Sequence, residues 1–163
     1  MKKKNYENFS LPLALFDALP VIFFGAAMIL IAARFGSKLF IAGAVICTFA
    51  GLGKVIWKII IAATKKDVAI LNRQLRVLMP IGFALLISGA IIGTDAERLS
   101  ALKSSVLSFP SAAFFAVTVI GTIMMSVFAF GLDQTKARSN WLEQITNAVS
   151  QFCFLLGVLF CQR

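Results

Sequence analysis

LFIAGAVICTFAGLGKVIWKIIIAA, running from Leu39 to Ala63, is apolar for long enough to cross a lipid bilayer as a helix, yet it carries two lysines, Lys54 and Lys58. A spanning helix needs about 20 consecutive, mostly apolar residues. Further stretches of this kind run from Leu11 to Ala33, Val77 to Gly93, Val106 to Leu132 and Trp141 to Phe160. Hydrophobic residues make up 60% of the chain, so lipid rather than water is the solvent for most side chains. The pattern predicts an all-α membrane protein: one polytopic domain over residues 1–163, folded as a compact bundle of five transmembrane helices.

Composition excludes several kinds of chemistry. With no histidine, Ser-His triads, bis-His haem ligation and HExxH zinc sites are unavailable. Cys47, Cys153 and Cys161 form no CxxC pair and read as small apolar packing residues. The chain has neither GxxxxGK[ST] nor GxGxxG, and it lacks the glutamate-bearing first helix of small multidrug exporters. No cofactor or metal is expected. The net charge of +9 is spread between hydrophobic spans rather than over one soluble face, which argues against a nucleic-acid partner.

The charges instead suggest an orientation. With the amino terminus cytoplasmic, the inner side carries Lys2, Lys3, Lys4, Lys65, Lys66, Arg73, Arg76, Lys136 and Arg138. The outer side then carries only Arg34, Lys38, Arg98, Lys103 and Arg163. The positive-inside rule favours this topology, with the carboxyl terminus outside, and it brings Tyr6, Trp57 and Trp141 to the inner interface. The first apolar run is too long for a signal peptide, holds Asp17 and Pro20, and is followed by no small-x-small cleavage site. It reads as a retained helix, and the protein as integral to a prokaryotic cytoplasmic membrane.

Short connections force neighbours. Arg34-Phe-Gly-Ser-Lys38 makes the first two spans an antiparallel hairpin. Thr64-x-x-Asp67 and Thr94-x-x-Glu97 read as capping boxes. The first would open a short basic helix on the inner surface, whose Lys65, Lys66, Arg73 and Arg76 face anionic lipid headgroups. The second reads as a capped turn, and Pro80 and Pro110 fall near helix starts.

Projected as helices, the spans place polar and small residues on stripes. Gly43, Cys47, Gly51, Lys54 and Lys58 share one stripe of the second span, and Gly82, Gly89 and Gly93 align in the third. Ser108, Ser111, Thr118, Thr122 and Ser126 line a face of the fourth that leads to Asp133, and Glu143, Asn147, Ser150 and Gln151 one of the fifth. Such groups keep their hydrogen bonds only when turned toward other helices, although a hydroxyl stripe can serve merely as glue between them.

Asp17 stands about as far before the turn at Gly36 as Lys54 and Lys58 stand after it, so the three lie at similar heights in the hairpin. At about 1.5 Å per residue, Asp17 and Lys58 sit roughly 9 Å inside the inner boundary and Lys54 roughly 15 Å. Asn147 and Ser126 reach the shallower level, Gln151 and Thr122 the deeper one. A charge at the bilayer centre costs about 2.5–3.5 kcal/mol, so Lys54 needs a partner, with Asp17 first and Glu143 second. Snorkelling of the lysine stems to the interface competes with this pairing. Pro20 frees the carbonyl of Phe16 beside Asp17.

Two lysines against one deep carboxylate predict a positive surplus. Asp17, Lys54, Lys58, Thr122, Ser126, Glu143, Asn147 and Gln151 are therefore the expected site for a small anionic or polar solute, in a transporter or channel working as a homo-oligomer. The alternative is a lipid-binding or accessory subunit of a larger membrane complex. An intramembrane enzyme using Asp17 or Glu143 as acid or base lacks any nucleophile or metal signature.

Overall fold

The computed structural model describes residues 10–132 and 137–161, and these are all-helical, with no strand among them. Helices α1 (Leu11–Phe16), α2 (Ala18–Phe35), α3 (Lys38–Thr64), α4 (Ala69–Ile92), α5 (Ala96–Leu107), α6 (Ser111–Gly131) and α7 (Ala137–Phe160) follow in chain order. Counting α1 and α2 as one, five are long and apolar enough to cross a membrane, and α5 is a short connecting helix. Lys2, Lys3, Lys4, Tyr6, Asp133, Lys136 and Arg163, used above to argue orientation and faces, lie outside the described residues.

The bundle is ordered as α4, α3, α2, α7, α6, each packing on the next. Helix α3 is the most enclosed of the spans, and α6 the most exposed. The α2–α3 hairpin forms as expected: Gly36 closes it at φ 60°, a left-handed conformation that costs glycine nothing, and Ser37 caps α3 by accepting from the Phe40 amide at 3.4 Å. The most extensive contact, however, is α3 on α4. A Cβ on Gly43 would come within 2.6 Å of the Gly82 carbonyl, so backbone touches backbone there. Gly82 and Gly89 supply the other half of the seam, against Cys47 and Phe40, while Gly93 only ends α4. Met28, Phe40, Ala44, Cys47 and Leu86 form the core that this approach closes.

Helices α2 and α7 are joined by ring pairs, Phe23 with Phe152 at 5.2 Å and Phe24 with Phe154 at 6.5 Å. Phe115 meets Phe154, and Phe114 stacks on Phe160, to bring in α6. These phenylalanines thus divide between helix packing and the exposed surface, where Phe49, Phe83 and Phe130 sit.

Three local expectations are corrected. No separate basic helix follows α3: the connection is only residues 65–68, and Arg73 and Arg76 belong to the first turns of α4. Thr64 donates to the Ile60 carbonyl at 2.7 Å instead of capping, and Asp67 accepts from the Trp57 indole at 2.8 Å. An indole N–H has stronger need of an acceptor than an exposed helix start, and it wins the carboxylate. Because α4 starts so early, Pro80 lies in its interior. The Thr94–Glu97 segment is no capped turn: Asp95 caps the 12-residue α5, accepting from the Arg98 amide at 2.8 Å.

Candidate functional site

Pro20 has no N–H to give the Phe16 carbonyl, and the helical hydrogen-bonding of the first span is interrupted between α1 and α2 at Asp17, which itself keeps a helical backbone at φ −64° and ψ −13°. The Asp17 amide still donates to the Leu13 carbonyl at 3.1 Å. Its carboxylate makes no capping bond to α2. It reaches α3 instead, where Oδ2 lies 2.7 Å from Lys58 Nζ, with both side chains more than nine-tenths enclosed. Leu13, Ala14 and Pro20 are buried on the same side of this span.

A pair this short and this enclosed is a charge-assisted hydrogen bond in a low-dielectric setting, where each charge depends on the other. Lys58, one turn along α3 from Lys54, takes the carboxylate, which corrects the expectation that Asp17 would pair first with Lys54. Lys54 is half-buried and makes no ion pair among the described residues.

Helix α7 closes the third side. Trp141 packs on Phe16 with ring centroids 5.6 Å apart, docking the start of α7 against α1. Glu143, half-buried, acts electrostatically on Lys58, as does Lys54. Glu143 Oε1 and Gln144 Oε1 are buried acceptors without a hydrogen-bond partner among the described residues. The cluster is therefore charge-balanced, Asp17 and Glu143 against Lys54 and Lys58, which removes the positive surplus expected from the sequence. Lys54 and the Glu143 carboxylate remain the ions not tied to one another.

Other expected members stand apart. Asn147 and Gln151 are half-buried on α7 and form no hydrogen bond among the described residues. Thr122 and Ser126 are exposed on α6, donating to the carbonyls of Thr118 at 2.9 Å and Thr122 at 3.2 Å. They do not join the cluster, since a helical hydroxyl can satisfy its proton on its own backbone and then tolerate lipid. Of that stripe Thr118 does cross, sharing its proton between Phe114 and, at 3.2 Å, the Ser150 carbonyl of α7. Lys65, Lys66, Arg73 and Arg76 are exposed near the α3–α4 turn, at the Lys58 end.

The sequence reading missed Asn140 and Gln144, both buried on α7. Their i, i+4 spacing was the available signal, hidden by starting the helix at Trp141 rather than Ala137. Three cavities open in the surface, two between α2 and α5–α7 at the Arg34 end and one between α2 and α3. None of these three is lined by Asp17, Lys54 or Lys58, and the pair itself is enclosed, with both side chains more than nine-tenths buried. Among the described residues no three His, Cys, Asp or Glu side chains converge as a metal site. Comparison with known proteins returns no relative: no family model matches this chain, and no curated protein or solved structure is significantly similar to it.

Proposed function

We propose that the chain is a transport protein or channel subunit of a prokaryotic cytoplasmic membrane, amino terminus inside, that passes a small anionic or polar solute by way of the Asp17, Lys54, Lys58 and Glu143 cluster. The observation that carries this reading is the buried 2.7 Å Lys58–Asp17 pair with Lys54, a cation without an ion pair among the described residues, one turn deeper. Ionisable groups inside spanning helices are costly and face pathways or partners rather than lipid. An arriving anion meets Lys54 first and competes with Asp17 for Lys58. Glu143, which repels anions, favours return of Lys58 to Asp17 once the solute leaves. The closed pair is then the resting state, and several copies would be needed to enclose a path.

Flux of chloride, acetate and inorganic phosphate into proteoliposomes tests it. Lys54→Ala should lower the flux of the transported anion by at least about tenfold without unfolding the protein. Absence of flux for all three would remove the anion reading.

An accessory subunit is the second reading. It is favoured by the enclosure of the Lys58–Asp17 pair and by the broadly exposed apolar faces of α4 and α6, including Ile87, Ile91, Ile123 and Val127.

A further inference from the structure

At the end of the bundle away from Lys58, two cavities share a wall. The first, about 270 Å³, is lined by Arg34, Thr94, Arg98, Ala101, Leu102 and Ser105. The second, about 150 Å³, continues past Arg34 and Leu102 into Ile31, Val106, Phe115, Phe154, Val158 and Cys161. The mouth is cationic and the recess is hydrocarbon. Jointly they fall within the roughly 300–1,000 Å³ of pockets that hold ligands of moderate size.

One helix produces the gradient. Arg98, Leu102 and Val106 are spaced by four residues, so a single stripe of α5 runs from a guanidinium to apolar side chains. Asp95 holds the N-terminus of α5 and lies 3.6 Å from Arg98 Nε, both side chains being well exposed. Across the mouth, Arg34 ends α2 and makes no ion pair among the described residues. Thr94 and Ser105 already donate to the carbonyls of Ala90 and Ala101, which leaves the two guanidiniums as the donors for a ligand.

We propose that this is a binding site for one anionic phospholipid, its phosphate held between Arg34 and Arg98 and one acyl chain lying in the recess between α2, α5, α6 and α7. The planar fork of a guanidinium matches a phosphate, and two such forks without a full complement of carboxylates leave the mouth positive. The recess offers a hydrocarbon chain what it leaves behind in the bilayer, so the headgroup charge decides selectivity. This site is independent of the Lys58 cluster and stands or falls separately from the transport reading.

The test is native mass spectrometry of the protein in a neutral detergent, titrated with phosphatidylglycerol, with phosphatidylcholine of the same chains, and with inorganic phosphate. Phosphatidylglycerol should be retained over both other probes, and Arg34→Gln with Arg98→Gln should weaken it about tenfold to thirtyfold, as two cations near the surface would. Val106→Trp, which fills the recess and leaves the charges in place, should weaken it as well. Asp95→Asn keeps the helix cap but removes the competing carboxylate, and should tighten binding several-fold. Equal retention of both lipids, or no effect of the arginine pair, would overturn the proposal. Inorganic phosphate binding as tightly as the lipid, with Val106→Trp silent, would overturn it in favour of a site for the free ion.

Discussion

Lys58 Nζ lies 2.7 Å from Asp17 Oδ2 across the α1–α3 contact, and neither side chain is appreciably open to solvent. An enclosed ion pair is expensive to assemble but more expensive to break, since removal of one member strands the other. Asp17→Asn alone should therefore destabilise the fold by about 3–5 kcal/mol. Asp17→Asn with Lys58→Gln should recover most of that loss, because two neutral amides can bond to each other. Unfolding of both variants in the same detergent measures the coupling directly.

Helices α3 and α4 meet through backbone at Gly43, where an added Cβ would fall 2.6 Å from the Gly82 carbonyl and 2.7 Å from the Leu86 amide nitrogen. Neither backbone atom can swing aside as a side chain would. Gly43→Ala should cost about 1–3 kcal/mol by forcing the helices apart. Gly131→Ala, where nothing lies within 4 Å, should be neutral or slightly stabilising. Thermal unfolding of the two variants side by side separates close packing from helix propensity.

Trp57 donates its indole N–H to Asp67 at 2.8 Å, tying α3 to the turn before α4. Asp67→Ala should cost about 1–2 kcal/mol and shift the emission of Trp57, read in a Trp141→Phe background. Asp67→Asn keeps an acceptor oxygen and should have the smaller effect. Equal losses in both variants would mean that the carboxylate charge, rather than the hydrogen bond, is what matters.

Asp95 caps α5 through the Arg98 amide. Asp95→Ala should destabilise this helix by about 0.5–2 kcal/mol and speed amide exchange along residues 96–107, while exchange in α3 stays unchanged. The glycine seam and the enclosed α3 core should exchange slowest. A uniform acceleration over all helices would contradict the local role.

How much of this was legible follows from the length of each signal. The spans were readable because lipid demands long apolar runs, and the tight turn at Gly36 put Asp17 near the height of both lysines, although the count from that turn favoured Lys54 and the structure pairs Lys58. What failed were short-range choices with near-equal alternatives. Asp67 could cap a helix or accept from Trp57, and Thr122 and Ser126 could face neighbours or bond to their own backbone. Helix α4 starts at Ala69 although its first turns are basic, because Arg73 and Arg76 remain exposed while the helix continues. Glu143, the second candidate partner in the sequence, acts electrostatically on Lys58 and so counts toward the cluster's charge.

The central claim is that the buried charges act on a solute and do more than fix helix register. Asp17→Asn with Lys58→Gln, the variant expected to keep its fold, isolates that question in a proteoliposome flux assay with the anion that the unaltered protein carries. The account predicts a stable protein whose flux falls by at least about tenfold. A stable double variant that moves the anion as fast as the unaltered protein would contradict it, and would leave the pair as a structural tie.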